Sequence, residues 1–208
     1  MTTRWERIAR ANNGEDYAAA YAERFRALAA QGQDIHGEAV FVQRLLDPPA
    51  QVLDAGCGTG RITERLAELG YAVVGTDVDA TMLEQARAVA PALDWRLADL
   101  ATMDLGERFD LVLLAGNIIP LLEPGTLGAV AERLAAHAVS GGLVVCGFGL
   151  DSAHLPAGCA PTPLAEHDAA LAVAGLEPVT RYSTWDGEAY DDGGYVITVH
   201  RRPEEDVS

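Results

Sequence analysis

The 208-residue sequence contains no lysine: all 15 basic residues are arginine, set against 31 Asp and Glu. The resulting net charge, 15 − 31 = −16, repels phosphate backbones and anionic lipid. No basic run beyond Arg201 and Arg202 offsets it, so neither nucleic acid nor a membrane surface is an expected partner. Cysteine is scarce too. Cys57, Cys146 and Cys159 are odd in number and lack metal-ligand spacing, so no disulfide framework and no metal is expected. A reducing, cytoplasmic setting follows. No apolar run approaches the ~18 residues that cross a bilayer. The opening MTTRWERIAR is charged and has no apolar signal core.

What is present is 49% hydrophobic, enough for a folded core in a chain whose length suits one domain. Residues 4–32 read as one helix, in which Tyr17, Tyr21, Phe25 and Leu28 recur at helical spacing. That stripe either packs on the domain or lets Tyr17 and Tyr21 cover a ligand pocket. A second helix over 35–46 stops before Pro48 and Pro49. Strands and helices then alternate with short connections, which predicts a mostly parallel sheet with helices on both faces. Helix faces are marked by Ile62, Leu66 and Leu69, with Gly70 as the stop. The next face is Met82, Leu83, Ala86, Val89 and Ala90, with Asp79 as the N-cap. Residues 109–114 form the continuous apolar run of a strand buried on both faces. A strand over 141–148 follows a helix opened by Pro124 and Gly125. Residues 149–163 read as loop and 164–174 as helix. Strands 177–184 and 195–201 flank the acidic loop 185–194, which has no room for a crossover helix, so that pair is antiparallel. The tail, 203–208, is expected to fray.

The stretch QVLDAGCGTG, residues 51–60, organises the rest. A short apolar strand ends in glycines at every second position and opens a helix. Such a turn lets backbone approach a ligand closely and presents unpaired N–H groups to a negative one. Dinucleotide sites use G-x-G-x-x-G. Here Gly56, Gly58 and Gly60 give G-x-G-x-G, and Arg61 stands where the third glycine belongs. The departure points to a ligand with an amino-acid tail. Ligands in such sheets bind beyond the carboxyl ends of the strands. Asp77, 17 residues beyond Gly60, is placed to accept from two ribose hydroxyls. Asp99 follows the next strand and can accept from an exocyclic amine. Asp54, buried by position, can tie the glycine turn to a ligand ammonium.

These residues resemble the class I, Rossmann-like S-adenosylmethionine-dependent methyltransferases. VLDAGCGTG matches the family's first motif, which implies that Asp54, Ala55, Gly56, Cys57, Gly58 and Gly60 wrap the methionine and ribose. GTDVD matches the second, with Asp77 on the ribose and Val78 on the adenine. ADL matches the third, with Asp99 and Leu100 at the adenine, and FDLVLLAGNII the fourth, with Ala115 and Asn117 near the methyl group. The family fold is a seven-stranded sheet whose last strand is antiparallel. The resemblance implies one domain with a helical lid at 1–47, a cofactor core at 48–148, and an insert, helix and hairpin at 149–202. The D/N-P-P-Y/F box of nucleic-acid amino-methylating members is replaced by Ala115-Gly116-Asn117-Ile118, so a small-molecule acceptor is implied. Arg61 is a candidate for the cofactor carboxylate, Tyr17 for the cofactor pocket, and Tyr21 and Trp185 for the substrate pocket. If the acceptor arrives protonated, a general base is needed. His36 is preferred over His154 and His167, because it opens the helix leading to the first strand. The cofactor would leave as S-adenosylhomocysteine. The chain would be a monomer or homodimer. A domain that binds the sulfonium without catalysis is an alternative, and a nicotinamide-dependent oxidoreductase is disfavoured by Arg61.

Overall fold

The computed structural model describes residues 2–204, so residues 205–208 of the expected tail lie outside the described residues. The chain opens with three helices, α1 Arg4–Asn13, α2 Tyr17–Ala30 and α3 Gly37–Leu45. The first two replace the single helix expected over 4–32. Gly14, at φ 76°, closes α1 by donating its N–H to the Arg10 carbonyl at 2.9 Å, and the chain restarts at Asp16. A capping box between Thr3 and Glu6 fixes the other end of α1.

Alternation follows as expected: β1 Gln51–Ala55, α4 Arg61–Glu68, β2 Ala72–Asp77, α5 Ala80–Val89, β3 Asp94–Leu97 and β4 Phe109–Leu114. A short α6, Ile118–Leu121, which no periodicity signalled, precedes α7 Leu127–His137. Then come β5 Ala138–Gly149, α8 Leu164–Val173, β6 Glu177–Tyr182 and β7 Tyr195–Arg201. The seven strands lie in the order β3-β2-β1-β4-β5-β7-β6. Pairing is parallel from β3 to β5, and β7 runs antiparallel to both β5 and β6.

Alternate residues of the central strands feed two cores. Leu53, Val112, Leu114 and Val144 point to one face and meet Val130 and Leu134 of α7 and Leu171 of α8. Val52, Leu111, Leu113 and Val145 point to the other and meet Phe41 and Val42 of α3 and Leu66 of α4. Each of these is essentially fully buried, so the doubly wound arrangement rests on removal of both sheet faces from water. On α5, Met82, Leu83 and Ala86 are buried as the pattern predicts, but Val89 is 61% exposed. Trp95 of the edge strand β3 packs against Leu83 and Ala86 and takes the place expected of Val89.

Candidate functional site

Four parallel strands end on one edge of the sheet, and the residues just beyond them carry the site. The turn after β1 exists because Gly56, Gly58 and Gly60 hold φ values of 86°, 57° and 88°, a region that side-chain-bearing residues rarely enter. At Gly56 a Cβ would also meet the end of the Ile118 side chain at 2.5 Å, which would have to move aside. Gly56 and Cys57 donate their N–H groups to the Thr76 carbonyl at 2.7 and 2.8 Å, which pins the turn to the end of β2.

Asp77 completes that turn. One of its carboxylate oxygens accepts from the Gly58 N–H at 2.8 Å, the other from the Asp79 N–H at 2.9 Å. Burial pushes its pKa up to about 6, against the pull of these bonds. Asp54 is deeper, 1% exposed, and accepts from the Thr63 hydroxyl at 2.6 Å; burial pushes it up to about 6 as well. Asp99 is exposed and uses one oxygen to accept from the Ala101 N–H at 2.9 Å.

A cavity of about 330 Å³ opens at this edge. Gly56, Cys57, Gly58 and Arg61 line it from the first turn, Asp77 and Val78 from the second. Asp99, Leu100, Ala115 and Asn117 line it from the later turns, and Tyr21 from α2. Residues far apart in sequence are thus brought to one wall, as the motif reading requires. Others stand elsewhere. Asp54 and Ala55 at the end of β1, and Gly60 at the far end of the turn, do not line the cavity. Tyr17 is 2% exposed, with its hydroxyl donated to Asp79 at 2.6 Å, so it supports the wall from outside. Trp185 packs edge-on against Phe41 and covers Gly147, away from the cavity.

The histidines are likewise displaced from it. His36 stands at the N-cap position of α3 without a side-chain cap bond, and burial together with Arg61 and Arg65 holds its pKa below the usual imidazole value. His167 is fully buried between Phe148 and His200. His154 pairs with Asp151 at 2.7 Å in the 149–163 insert, half-exposed. Its backbone carbonyl accepts from the Asn117 amide at 3.0 Å, while the Asn117 carbonyl oxygen accepts from the Gly149 N–H at 2.7 Å. Asn117, at φ 68°, therefore pins the insert to the turn after β4.

Arg61 is not free for a ligand. Its guanidinium is bound to both oxygens of Glu38 and to the Ile35 carbonyl, and lies over the Phe25 ring at 4.5 Å. The cavity also takes Trp5, Arg24, Phe25, Met82 and Glu123 into its wall. Arg24 makes no ion pair or hydrogen bond among the described residues. Tyr21, Arg24 and Phe25 share one face of α2 at i, i+3, i+4 spacing; the aromatic stripe marked Tyr21 and Phe25 but not Arg24. Trp5 and Glu123 carried no such signal, because only the fold carries α1, and the loop after α6, to this edge.

Residues 52–142 match the family model described as "Methyltransferase domain". In structure the chain is similar to a TehB-like SAM-dependent methyltransferase from Corynebacterium glutamicum. The TM-score is 0.80 at 30% identity, covering 91% of this chain and 98% of that one. In sequence it is similar to the ubiquinone biosynthesis O-methyltransferase of Rhodopseudomonas palustris, 35% identical over 99 residues. That match covers 46% of this chain and 38% of the relative, so the chain spans well under half the length of that curated relative. A dTDP-4-amino-2,3,4,6-tetradeoxy-D-glucose N,N-dimethyltransferase of Saccharopolyspora spinosa is 31% identical over 136 residues, 64% of this chain and 53% of that one.

Proposed function

Because this chain belongs to the S-adenosylmethionine-dependent methyltransferases, we propose that it moves a methyl group from that cofactor to a small-molecule acceptor. The observation that carries the reading is the cavity at the carboxyl edge, where the glycine turn, Asp77 and Asp99 meet under the aromatic side chains of α1 and α2. Its volume lies at the lower end of the ~300–1,000 Å³ of small-ligand sites.

The donor set fits the cofactor. Each Asp77 oxygen spends one lone pair on backbone and keeps another for a ribose hydroxyl. Val78 and Leu100 offer apolar surface for the adenine, and Asp99 an acceptor for its amine. With Arg61 committed to Glu38 and the Arg4 guanidinium donated to the Leu122 carbonyl, Arg24 is the wall cation left for the amino-acid carboxylate. When bound, the cofactor supplies a methyl group already activated by its positive sulfur. What the chain adds is alignment and exclusion of water, which lower a bimolecular barrier by several kcal/mol.

The wall acids are engaged: Asp77 by the Gly58 and Asp79 N–H groups and then the ribose, Asp99 by the Ala101 N–H and then the adenine amine, and Glu123 by the Arg4 backbone N–H and the Arg7 guanidinium. The histidines lie off the wall. We therefore favour an acceptor whose lone pair is free when it binds, an amine above all, over a hydroxyl that must be deprotonated in the site. Calorimetric titration with S-adenosylmethionine, S-adenosylhomocysteine and NAD tests the cofactor; binding of NAD alone would overturn the reading. A methyl-transfer screen with amino sugars, other amines, phenols and thiols tests the chemistry. Transfer to amines is expected. Transfer confined to phenols would overturn the nucleophile assignment, and binding without transfer to any class would favour a non-catalytic domain.

A further inference from the structure

Asp79 stands two residues beyond Asp77 and is 2% exposed. Its two carboxylate oxygens face different parts of the molecule. Oδ1 accepts from the Thr81 N–H at 2.9 Å and the Thr81 hydroxyl at 2.7 Å, which is the N-cap of α5 that the sequence predicts. Oδ2 accepts from the Trp5 indole N–H at 2.9 Å and from the Tyr17 hydroxyl at 2.6 Å, one donor from α1 and one from α2. The rings of Trp5 and Tyr17 meet edge to face, with centroids 6.1 Å apart, and Ala9, Tyr17 and Ala18 pack on Met82 of α5.

At the start of α1, Arg4 donates its backbone N–H to Glu123 and its guanidinium to the Leu122 carbonyl at 3.2 Å. The remaining ties of α1 lie nearer the surface. Arg7 pairs with Glu123 at 3.2 Å, but the two side chains are 54% and 42% exposed. Asn12 donates to the Ala157 carbonyl at the surface, at 3.1 Å. The buried carboxylate is the anchor with most at stake. If Oδ2 loses its donors, it is left in apolar surroundings with its charge uncompensated.

We infer that Asp79 is a positioning residue. Through Oδ2 it latches α1 and α2 over the cavity and sets Trp5 as cavity wall, and its backbone N–H joins that latch to Asp77. The inference rests on the proposed function only for what the cavity holds. The latch itself belongs to the ligand-free chain. Cofactor release then requires the Trp5 and Tyr17 bonds to break, while α5 stays capped.

The test uses Asp79→Asn, Tyr17→Phe and Trp5→Phe in the full chain. Asparagine caps a helix about as well as aspartate, but its amide keeps a single acceptor oxygen, so it cannot accept from both Thr81 and the Trp5 indole. Amide hydrogen exchange is followed across residues 4–30 and, as a control, in α7, without ligand. In Asp79→Asn, exchange over 4–30 should accelerate about tenfold or more, as expected for loss of charge-assisted hydrogen bonds, with α7 unchanged. Each single-donor variant should show a smaller effect, and adding Tyr17→Phe to Asp79→Asn should add little. Release of S-adenosylhomocysteine should quicken in the same order. Exchange over 4–30 within about twofold of wild type in all three variants would reduce Asp79 to a helix cap and overturn the latch. If Asp79→Asn fails to fold, Trp5→Phe decides, since the indole N–H meets only Oδ2, whereas the Tyr17 hydroxyl also accepts from the Thr81 hydroxyl of the cap at 3.1 Å. If the chain binds no sulfonium cofactor, the proposed function falls while the exchange result still judges the latch.

Discussion

Arg61 and Glu38 are joined by two parallel hydrogen bonds, 2.7 and 2.9 Å long, with each side chain 14% exposed. Arg61 is the first residue of α4, where the helix dipole disfavours a cation. Glu38 offsets that cost and clamps α3 onto the start of α4. Glu38→Gln should therefore cost about 2–4 kcal/mol of stability, somewhat less than the ~3–5 of a fully buried broken pair. Arg61→Lys should not behave as the wild type, because an ammonium cannot make the paired fork. Chemical denaturation of both variants checks this; unchanged midpoints would show the pair to be incidental.

Asp77 holds the glycine turn and, under the proposed function, takes the ribose. Asp77→Ala should weaken cofactor binding by about 1.5–3 kcal/mol, or roughly 10- to 150-fold. An unaltered dissociation constant would remove the ribose assignment.

The same carboxylate predicts a pH dependence of binding. Burial pushes its pKa up to about 6, and ribose hydroxyls donate to the ionised form. Cofactor affinity should be flat above about pH 7 and fall roughly tenfold per unit well below 6, as a proton competes with the ligand. In Asp77→Asn that slope should disappear. Calorimetry between pH 5 and 8 reads it directly.

His167 bears on stability instead. Burial, and then the neighbouring His200, push its pKa down to about 4. Its Nε2 has no hydrogen-bond partner among the described residues. The unfolded chain, with a pKa near ~6.5, binds the proton more readily. The stability contributed by neutral His167 is therefore complete above about 6.5 and is lost as pH falls toward 4. Asp54 and Asp77 act in the opposite sense, since their raised pKa values favour the folded state at low pH and that advantage is lost as pH rises through about 6. The difference in stability between wild type and His167→Leu isolates the histidine. It should shift in favour of the variant as pH drops from 6.5 to 4, and a constant difference would refute the assignment.

Asn117 combines a left-handed backbone with two side-chain bonds to the insert. Asn117→Gly keeps the backbone conformation and loses the bonds. Asn117→Ala loses both, so it should be less stable than the glycine variant by about 1–2 kcal/mol. Equal denaturation midpoints would count against backbone strain at this turn.

The strand–helix alternation, the glycine turn and the acids at the strand ends were legible because each is a local pattern. A strand buried on both faces must be apolar throughout, and a turn at positive φ must be glycine. The break at Gly14 was missed because the helical stripe, Tyr17 to Leu28, lies wholly beyond it and says nothing of where the helix begins. Val89 was misplaced because periodicity gives a face but not what else fills it, and here Trp95 arrives from another strand.

What the sequence determined by itself, then, is the doubly wound sheet and the identity of the residues at its carboxyl edge, since period, turn geometry and spacing are properties of neighbouring residues. The tertiary structure alone decided who partners whom across that edge. Glu38 claims Arg61, Asp79 claims Trp5 and Tyr17, and Arg24 is left on the wall. A charged or polar side chain takes the nearest partner that burial leaves it, and that partner lies tens of residues away along the chain.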